Sequence, residues 1–337
     1  MSFADATPSQ RPEVLGAGNP NAKIMIVGDC PDAQSLKERR PFAGPRETVL
    51  EGSLHQAGLT KSEVYMTNLI KDDMPVEKYW KGQTNSRKIV KDIDGYKDVL
   101  QQEITSVKPE VIVTLDELPT YVLTGHQSIV KVRGYPFLAA PEFPKCIIVP
   151  ALHPAKMIWS NYIWRNYLSH DLSKARELSK NPADIWQPEI EVKIPSTFEE
   201  AKQYLDHVAQ FDPLSIDIEV ANYEVSCIGF ATTPITAFSI PFDMRWTPEE
   251  EVYLWTAAAN ILGNPNITKI GQNFIFDIHF LAYRMDIITR GPIIDTMMSH
   301  SILYPDFLKS LNFLGSIYTK QRYWKDMVKF KDPKKES

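Results

Sequence analysis

No stretch of this chain is apolar enough, for long enough, to cross a membrane: its strongest runs, Ile24 to Val27 and Ile147 to Pro150, are the length of a strand. Met1 to Gln10 has no basic segment leading into an apolar one, so it lacks the signature of a secretory leader. Cysteine is scarce. The three present, Cys30, Cys146 and Cys227, are odd in number and far apart, which fits a reducing compartment and is too few for a four-cysteine metal site. A basic excess is missing as well: the formal net charge is −5, which argues against non-specific coating of nucleic acid by the whole chain. An enzyme that grips DNA locally remains compatible with that balance. Metal-binding carboxylates lower the net charge, and short basic stretches such as Lys37-Glu38-Arg39-Arg40 can still meet phosphate.

What is present is the composition of a globular protein, 43% hydrophobic and 23% charged, in 337 residues, a length that favours two domains. No internal repeat is visible. Lys23 to Gly28, Val64 to Ile70, Val111 to Leu115 and Cys146 to Pro150 are short apolar runs rich in β-branched residues, the pattern of strands buried on both faces. Helices are expected between and after them, at Glu47–Ala57, Ile93–Val107, Leu118–Leu123 and from Ala155 to about Leu178. This alternation predicts an α/β domain over residues 1–178 with a mainly parallel sheet, whose functional residues gather at the C-terminal strand ends. Residues 179–194, with two prolines and no periodicity, read as a linker. A second domain is expected over 195–326. It opens with a helix at Thr197 to Ala209 and three turn-linked strands, Leu214 to Val220, Cys227 to Thr232 and Ile235 to Ile240. A helix (Pro248–Leu262), a strand (Ile267–Gly271) and helices near Phe274–Arg284, Thr296–Leu303 and Leu308–Thr319 follow, which suggests a mixed sheet. Residues 327–337 read as a charged tail with nothing to bury.

Two constellations carry chemistry. In the strand Ser215-Ile216-Asp217-Ile218-Glu219, Asp217 and Glu219 are two apart and project together, opposite the isoleucines. Side by side they resist ionising unless a cation lies between them. Two divalent ions about 3.5–4 Å apart resolve the repulsion and stabilise the attacking and leaving oxygens of phosphodiester hydrolysis. In Gly271-Gln272-Asn273-Phe274-Ile275-Phe276-Asp277, Asp277 opens a helix as the natural third ligand, and Asn273 one turn earlier is placed to orient substrate.

The second constellation lies in the first domain: Gly28-Asp29-Cys30-Pro31, Arg40 to Gly44, Tyr65-Met66-Thr67-Asn68, Val132-Arg133-Gly134 and Leu152-His153-Pro154-Ala155. All but the Val-Arg-Gly sit at expected strand ends or in the loops after them. Together they describe a base pocket. Phe42 stacks, Asn68 reads O4 and N3–H of a flipped uracil, His153 donates to the O2 that gains charge as the glycosidic bond breaks, and Asp29 positions water or stabilises the sugar cation. Taken alone, Phe42 reads as core, Asn68 as a turn or cap, and His153-Pro154 as a helix start.

Residues 195 to 326 resemble the 3′–5′ proofreading exonuclease of A-family DNA polymerases, a ribonuclease H-like fold with four acidic metal ligands. Asp217 and Glu219 match its first motif, and Asn273 and Asp277 its second. Ile294-Asp295-Thr296-Met297 with Lys309-Ser310-Leu311 matches the segment after it. The third motif, Tyr-x-x-x-Asp, has no match: Tyr323 to Asp326 is one residue short, and Asp332 has no tyrosine four before it. The resemblance therefore implies Mg2+ or Mn2+ at Asp217, Glu219 and Asp277, with the fourth carboxylate absent and the second metal held poorly.

Residues 15 to 160 resemble the uracil-DNA glycosylase superfamily, family-4 enzymes in particular, through Gly18 to Asp29 with Phe42-Ala43-Gly44, Val64 to Lys71, and His153-Pro154-Ala155. The resemblance implies a three-layer α/β/α fold. Family-4 enzymes hold a four-cysteine iron–sulfur cluster. Here Asp72 and Tyr96 stand where two of its cysteines are expected, so no cluster is implied. Asp29 replaces the usual glutamate and Asp32 a loop glycine, changes that bear on glycosylase turnover.

A glycosylase-like domain ahead of a proofreading exonuclease resembles the N-terminal part of the replicative A-family polymerases of some large bacterial viruses. The expectation is the leading segment of a split polymerase gene, or a truncated chain, acting in the cytoplasm on a single-stranded 3′ end. Its partners are then a polymerase segment or other replication proteins, and no membrane. Two alternatives stay open: a free-standing base-excision glycosylase whose second domain clamps DNA, and a non-catalytic nucleic-acid-binding module with both sites decayed.

Overall fold

The computed structural model describes residues 13–72, 76–81, 88–89, 93–159, 163–185 and 189–323. The expected tail, Asp326 and Asp332 lie outside them. The chain divides into two compact units, residues 1–187 with 312–337, and residues 188–311.

The first unit is built on four parallel strands, β1 (Ile24–Gly28), β2 (Val64–Asn68), β3 (Val111–Leu115) and β4 (Ile147–Ala151), in spatial order β2-β1-β3-β4. Their continuous apolar runs are buried nearly throughout. One face of the sheet carries Met25, Val27, Ile112 and Ile148 into a core with Leu100 and Ile104 of the helix Asp94–Val107 and Leu118, Val122 and Leu123 of the helix Glu117–Thr124. The helix Trp164–Lys180 packs on β1, β3 and β4. Two-residue antiparallel strands close the edges: Ala17–Gly18 on β2 and Phe137–Leu138 on β4. Strand order reverses at β1, so the crevice beyond the ends of β1 and β3 is the topological switch point, where ligands of such sheets bind.

The helix expected from Ala155 to Leu178 is two, Pro154–Trp159 and Trp164–Lys180. The expected linker is in part structured. The second helix runs to Lys180, and Glu191–Lys193 is an edge strand paired in parallel with Thr236 to Phe238. Three residues are too short to show periodicity, and main-chain pairing at a sheet edge decides their structure.

The second unit holds a mixed sheet of β5 (Leu214–Ala221), β6 (Glu224–Thr233), β7 (Thr236–Pro241), β8 (Lys269–Gly271) and β9 (Ile293–Asp295), in order β9-β8-β5-β6-β7, with Glu191–Lys193 beside β7. Strands β5 to β7 form an antiparallel meander, and β8 runs parallel to β5. In β5, Leu214, Ile216 and Ile218 are buried while Ser215, Asp217 and Glu219 are exposed. Ile216 and Ile218 share a core with Leu205 and Val208 of the helix Phe198–Val208, Leu254 and Ile261 of the helix Pro248–Gly263, and Leu281 of the helix Ile275–Met285.

From Asn312 onward the chain packs with the first unit. The fastening is a buried polar cluster on the Val-Arg-Gly motif. Arg133 Nε donates to Asp171 Oδ2 at 2.9 Å, its Nη2 to Oδ1, and its Nη1 to Ser316 Oγ at 3.1 Å. The guanidinium lies over the rings of Tyr167 and Phe313, 5.3 and 5.2 Å from their centroids. Lys174 Nζ donates to the carbonyls of Gly134 and Ser316, and Tyr135 Oη to that of Asn312 at 2.6 Å.

Candidate active sites

The carboxylates of the second unit are brought together by β5 and the helix Ile275–Met285. Asp217 and Glu219 share the outer face of β5, opposite Gly229 and Cys227 of β6. The pairing slips by one residue immediately after Glu219, a bulge of the kind that re-aims side chains beside active sites. Asp277, 4% exposed, accepts a hydrogen bond from Ile218 N–H at 3.0 Å through Oδ1. The main chain between Asp217 and Glu219 thus holds the third carboxylate. Burial first, then Asp217 and Glu219, push Asp277 up to about 6 against the opposing Ile218 bond. Partial desolvation, then Glu219, also raises Asp217 from its ordinary value. Among the described residues no three His, Cys, Asp or Glu side chains close to metal-holding distance. Even so, the donor set fits a divalent cation: three hard carboxylates that repel one another, of which Asp277 has one oxygen committed.

The loop ahead of that helix is set by Asp295, whose motif the sequence singled out without a role for the carboxylate. Asp295 Oδ1 accepts from Asn273 N–H at 3.1 Å and Met297 N–H at 2.8 Å, and Oδ2 from Phe274 N–H at 2.8 Å. It caps the helix Thr296–Leu303 while pinning Asn273 in the left-handed region at φ 55, which asparagine tolerates. Thr296 Oγ1 donates to Gly271 O at 3.1 Å. Asn273 is therefore held just ahead of the helix Ile275–Met285. Its partner across the chain was not legible, because an aspartate before a helix reads as an ordinary cap.

In the first unit, Asp29, Asn68 and His153 follow or end β1, β2 and β4. Gly28 is the floor between two of the expected residues. A Cβ built there would lie 2.6 Å from Asn68 Oδ1 and 2.8 Å from Phe42 Cε1 and Cζ. Phe42, at φ 58, is buried, and its ring centroid lies 6.0 Å from that of His153. Burial, then the positive charges of Arg46 and Lys156, push His153 down to about 3, so its imidazole is neutral. Its Nδ1 accepts Ala155 N–H at 3.1 Å, which leaves the proton on Nε2 as a donor. Asn68 is 1% exposed, and neither its Nδ2 nor its Oδ1 has a hydrogen-bond partner; nor has Asp29 Oδ1. Buried polar atoms without partners are costly and await a ligand or water. Burial first, and Asp116 next, hold Asp29 well above the usual carboxylate range, opposed by Lys156.

Asp32 has its own local work. It caps the helix Ala33–Glu38 through Ser35 N–H at 2.8 Å and pairs with Arg46 at 3.2 Å. Its φ of −95 is open to any residue. Gly28→Ala is expected to weaken binding of a uracil-containing single strand by about fivefold to a hundredfold, from roughly 1–3 kcal/mol of overpacking that displaces Asn68 and Phe42. Fluorescence anisotropy measures this, and unchanged affinity would mean that these two side chains do not face the ligand.

The positions aligned with family-4 cluster cysteines face each other. Tyr96 Oη donates to Asp72 Oδ2 at 2.6 Å, and the Tyr79 and Tyr96 hydroxyls are 3.3 Å apart. Two oxygen donors already bonded to one another do not fit an iron–sulfur cluster, which is held by thiolates.

A family model described as the uracil DNA glycosylase superfamily matches residues 15–171, and one described as 3'-5' exonuclease matches residues 192–331. Exonuclease domains of the latter kind generally use divalent metals. A type-4 uracil-DNA glycosylase of Sulfurisphaera tokodaii is 32% identical over 176 residues, 50% of this chain and 76% of that protein. A DNA polymerase of Bacillus phage SP01 is 24% identical over 322 residues, 86% of this chain but only 33% of that protein. Among solved structures, Escherichia coli RNase D, an exoribonuclease, aligns at 18% identity and a TM-score of 0.28, over 33% of this chain and 29% of that one.

Proposed function

The chain belongs to the uracil-DNA glycosylase superfamily through its first unit and carries a 3′–5′ exonuclease domain in its second, and from that premise we propose that it serves DNA replication. In this reading the second unit supplies metal-dependent proofreading elements and the first a pocket for an extruded base. The observation that carries it is the bond from Ile218 N–H to Asp277, which seats the third carboxylate behind the first two.

Mg2+ or Mn2+ at Asp217, Glu219 and Asp277 would supply the Lewis acid that lowers the pKa of water and offsets charge on the departing oxygen. The residues do the positioning. Asp217 and Glu219 offer oxygens from one face of β5, Asp277 offers its uncommitted oxygen, and Asp295 fixes Asn273 beside them. The likeness to a phage DNA polymerase along 86% of this chain supports a place beside a polymerase segment, from which, or from a partner chain, the fourth carboxylate comes.

Base excision by the first unit is the second reading, favoured by the buried, unpartnered Asn68 amide and a neutral His153. Two assays separate these readings from non-catalytic binding. Nucleotide release from a 3′-labelled single strand with Mn2+, lost in Asp217→Ala, supports the first. Alkali-sensitive abasic sites in uracil DNA, lost in His153→Ala, support the second. Silence in both with DNA binding intact contradicts both.

A further inference from the structure

At the switch point of the first unit, β1 and β3 run side by side with Val27 opposite Thr114. Asp29 and Asp116 each lie two residues beyond that pair, where the two neighbouring strands end. Asp116 leaves its strand at φ 77, a conformation disfavoured for aspartate, with its N–H held by Ala151 O at 2.9 Å. Its carboxylate receives Lys156 Nζ at 2.6 Å, from the helix that His153 opens. The same crevice holds a buried Asp29 oxygen without a hydrogen-bond partner.

We propose that Asp116 and Lys156 are a positioning pair that sets the charge of Asp29, deciding whether a bound pyrimidine nucleotide meets a neutral acid or a carboxylate. The proposal rests on the base-pocket reading of the first unit. A neutral Asp29 donates a hydrogen bond and retains the base; an anionic one opposes positive charge on the sugar. Among the described residues the charges acting on the buried Asp29 are those of Asp116 and Glu117 at the start of one helix, Lys156 on a second and Glu77 on the turn Val76–Lys78, and the Cys30 thiol is its neighbour in the chain. Asp116, Glu117 and Glu77 favour the neutral acid, and Lys156 favours the anion.

The two members of the pair therefore act in opposite directions. Removing the lysine leaves Asp116 uncompensated beside Asp29; removing the aspartate charge leaves Lys156 uncompensated. The test follows the Asp29 carboxyl carbon by NMR through a pH titration of the full chain, assigned by its loss in Asp29→Asn. Lys156→Met is expected to raise the Asp29 midpoint, and Asp116→Asn to lower it, each by about one pH unit, a tenfold change in proton affinity. Shifts of the same sign in both, or none in either, overturn the proposal, because a purely structural pair would not split them. A single strand carrying 2′-fluoro-deoxyuridine, titrated in parallel, tests the pocket itself. Failure to bind at any pH would remove the base-pocket reading while the titration still decides the charge relation.

Discussion

Asp277→Asn is expected to be more stable than the wild type in metal-free, mildly alkaline buffer, and yet to have lost the nuclease activity proposed for the second unit. The amide keeps Oδ1 as acceptor for Ile218 N–H, so the fold's use of this side chain survives. What disappears is a buried negative charge beside Asp217 and Glu219. The wild-type group is held at about 6 against an ordinary 3.8, so the folded state retains its proton more firmly than the unfolded state. Stability of the metal-free wild type therefore falls as pH rises between those values, and the penalty is complete above the upper one. The variant escapes a cost of up to about 3 kcal/mol. With Mn2+ present the order reverses, since the cation binds the wild type's carboxylates and stabilises it by mass action. Nuclease activity in the variant is expected to drop about a thousandfold, the equivalent of about 4 kcal/mol of transition-state stabilisation. Thermal melts with chelator and with Mn2+, beside an end-labelled strand assay, read all three effects. A variant less stable than the wild type without metal would mean that the carboxylates are not strained.

Asp171→Ala is expected to lose about 3–5 kcal/mol of stability, the cost of stranding a buried cation. Arg133 and Asp171 are 2% and 1% exposed, so the charge left behind would stay buried. The same substitution removes the counter-charge from Lys174, which burial pushes down to about 7 and Asp171 pushes back up. Because Arg133 and Lys174 both bond Ser316, the chain from Asn312 to Tyr323 is expected to loosen first. Limited proteolysis would then cut there before the core unfolds. The paired change Arg133→Met with Asp171→Leu is expected to recover a good part of the loss, since it buries no orphan charge. Denaturant unfolding of the full chain gives the magnitudes. A loss below about 1 kcal/mol would place the pair in the range of a solvent-screened surface bridge.

Much of this was legible in the residues, for identifiable reasons. The four strands of the first unit announce themselves because both faces are buried, so Ile24 to Gly28 and Val111 to Leu115 are apolar without interruption. The alternation of Ile216, Asp217, Ile218 and Glu219 gives the strand, its buried face and its carboxylate face at once. Interactions distant in sequence were not legible. Nothing near Asp295 says that its oxygens take the N–H groups of Asn273 and Phe274, and nothing near Lys156 says that it reaches Asp116. The departure of Asn312 to Tyr323 from the second unit was hidden for the same reason. Its helix has an ordinary apolar pattern, and the partners Arg133, Tyr135 and Lys174 lie far back in the chain. Asp72 and Tyr96 fall between these cases. The sequence marks both as departures from a cysteine pattern, but only the fold shows that one replacement bonds the other.

The central claim is that the carboxylates of the second unit hold divalent metal for phosphodiester hydrolysis. Counting bound Mn2+ by electron paramagnetic resonance during a titration of the full chain tests it most directly. At least one ion per chain, lost on Asp217→Ala and on Asp277→Asn, is the predicted result. Mn2+ that stays free at millimolar concentration, or that binds the Asp217→Ala protein as tightly as the wild type, would contradict it.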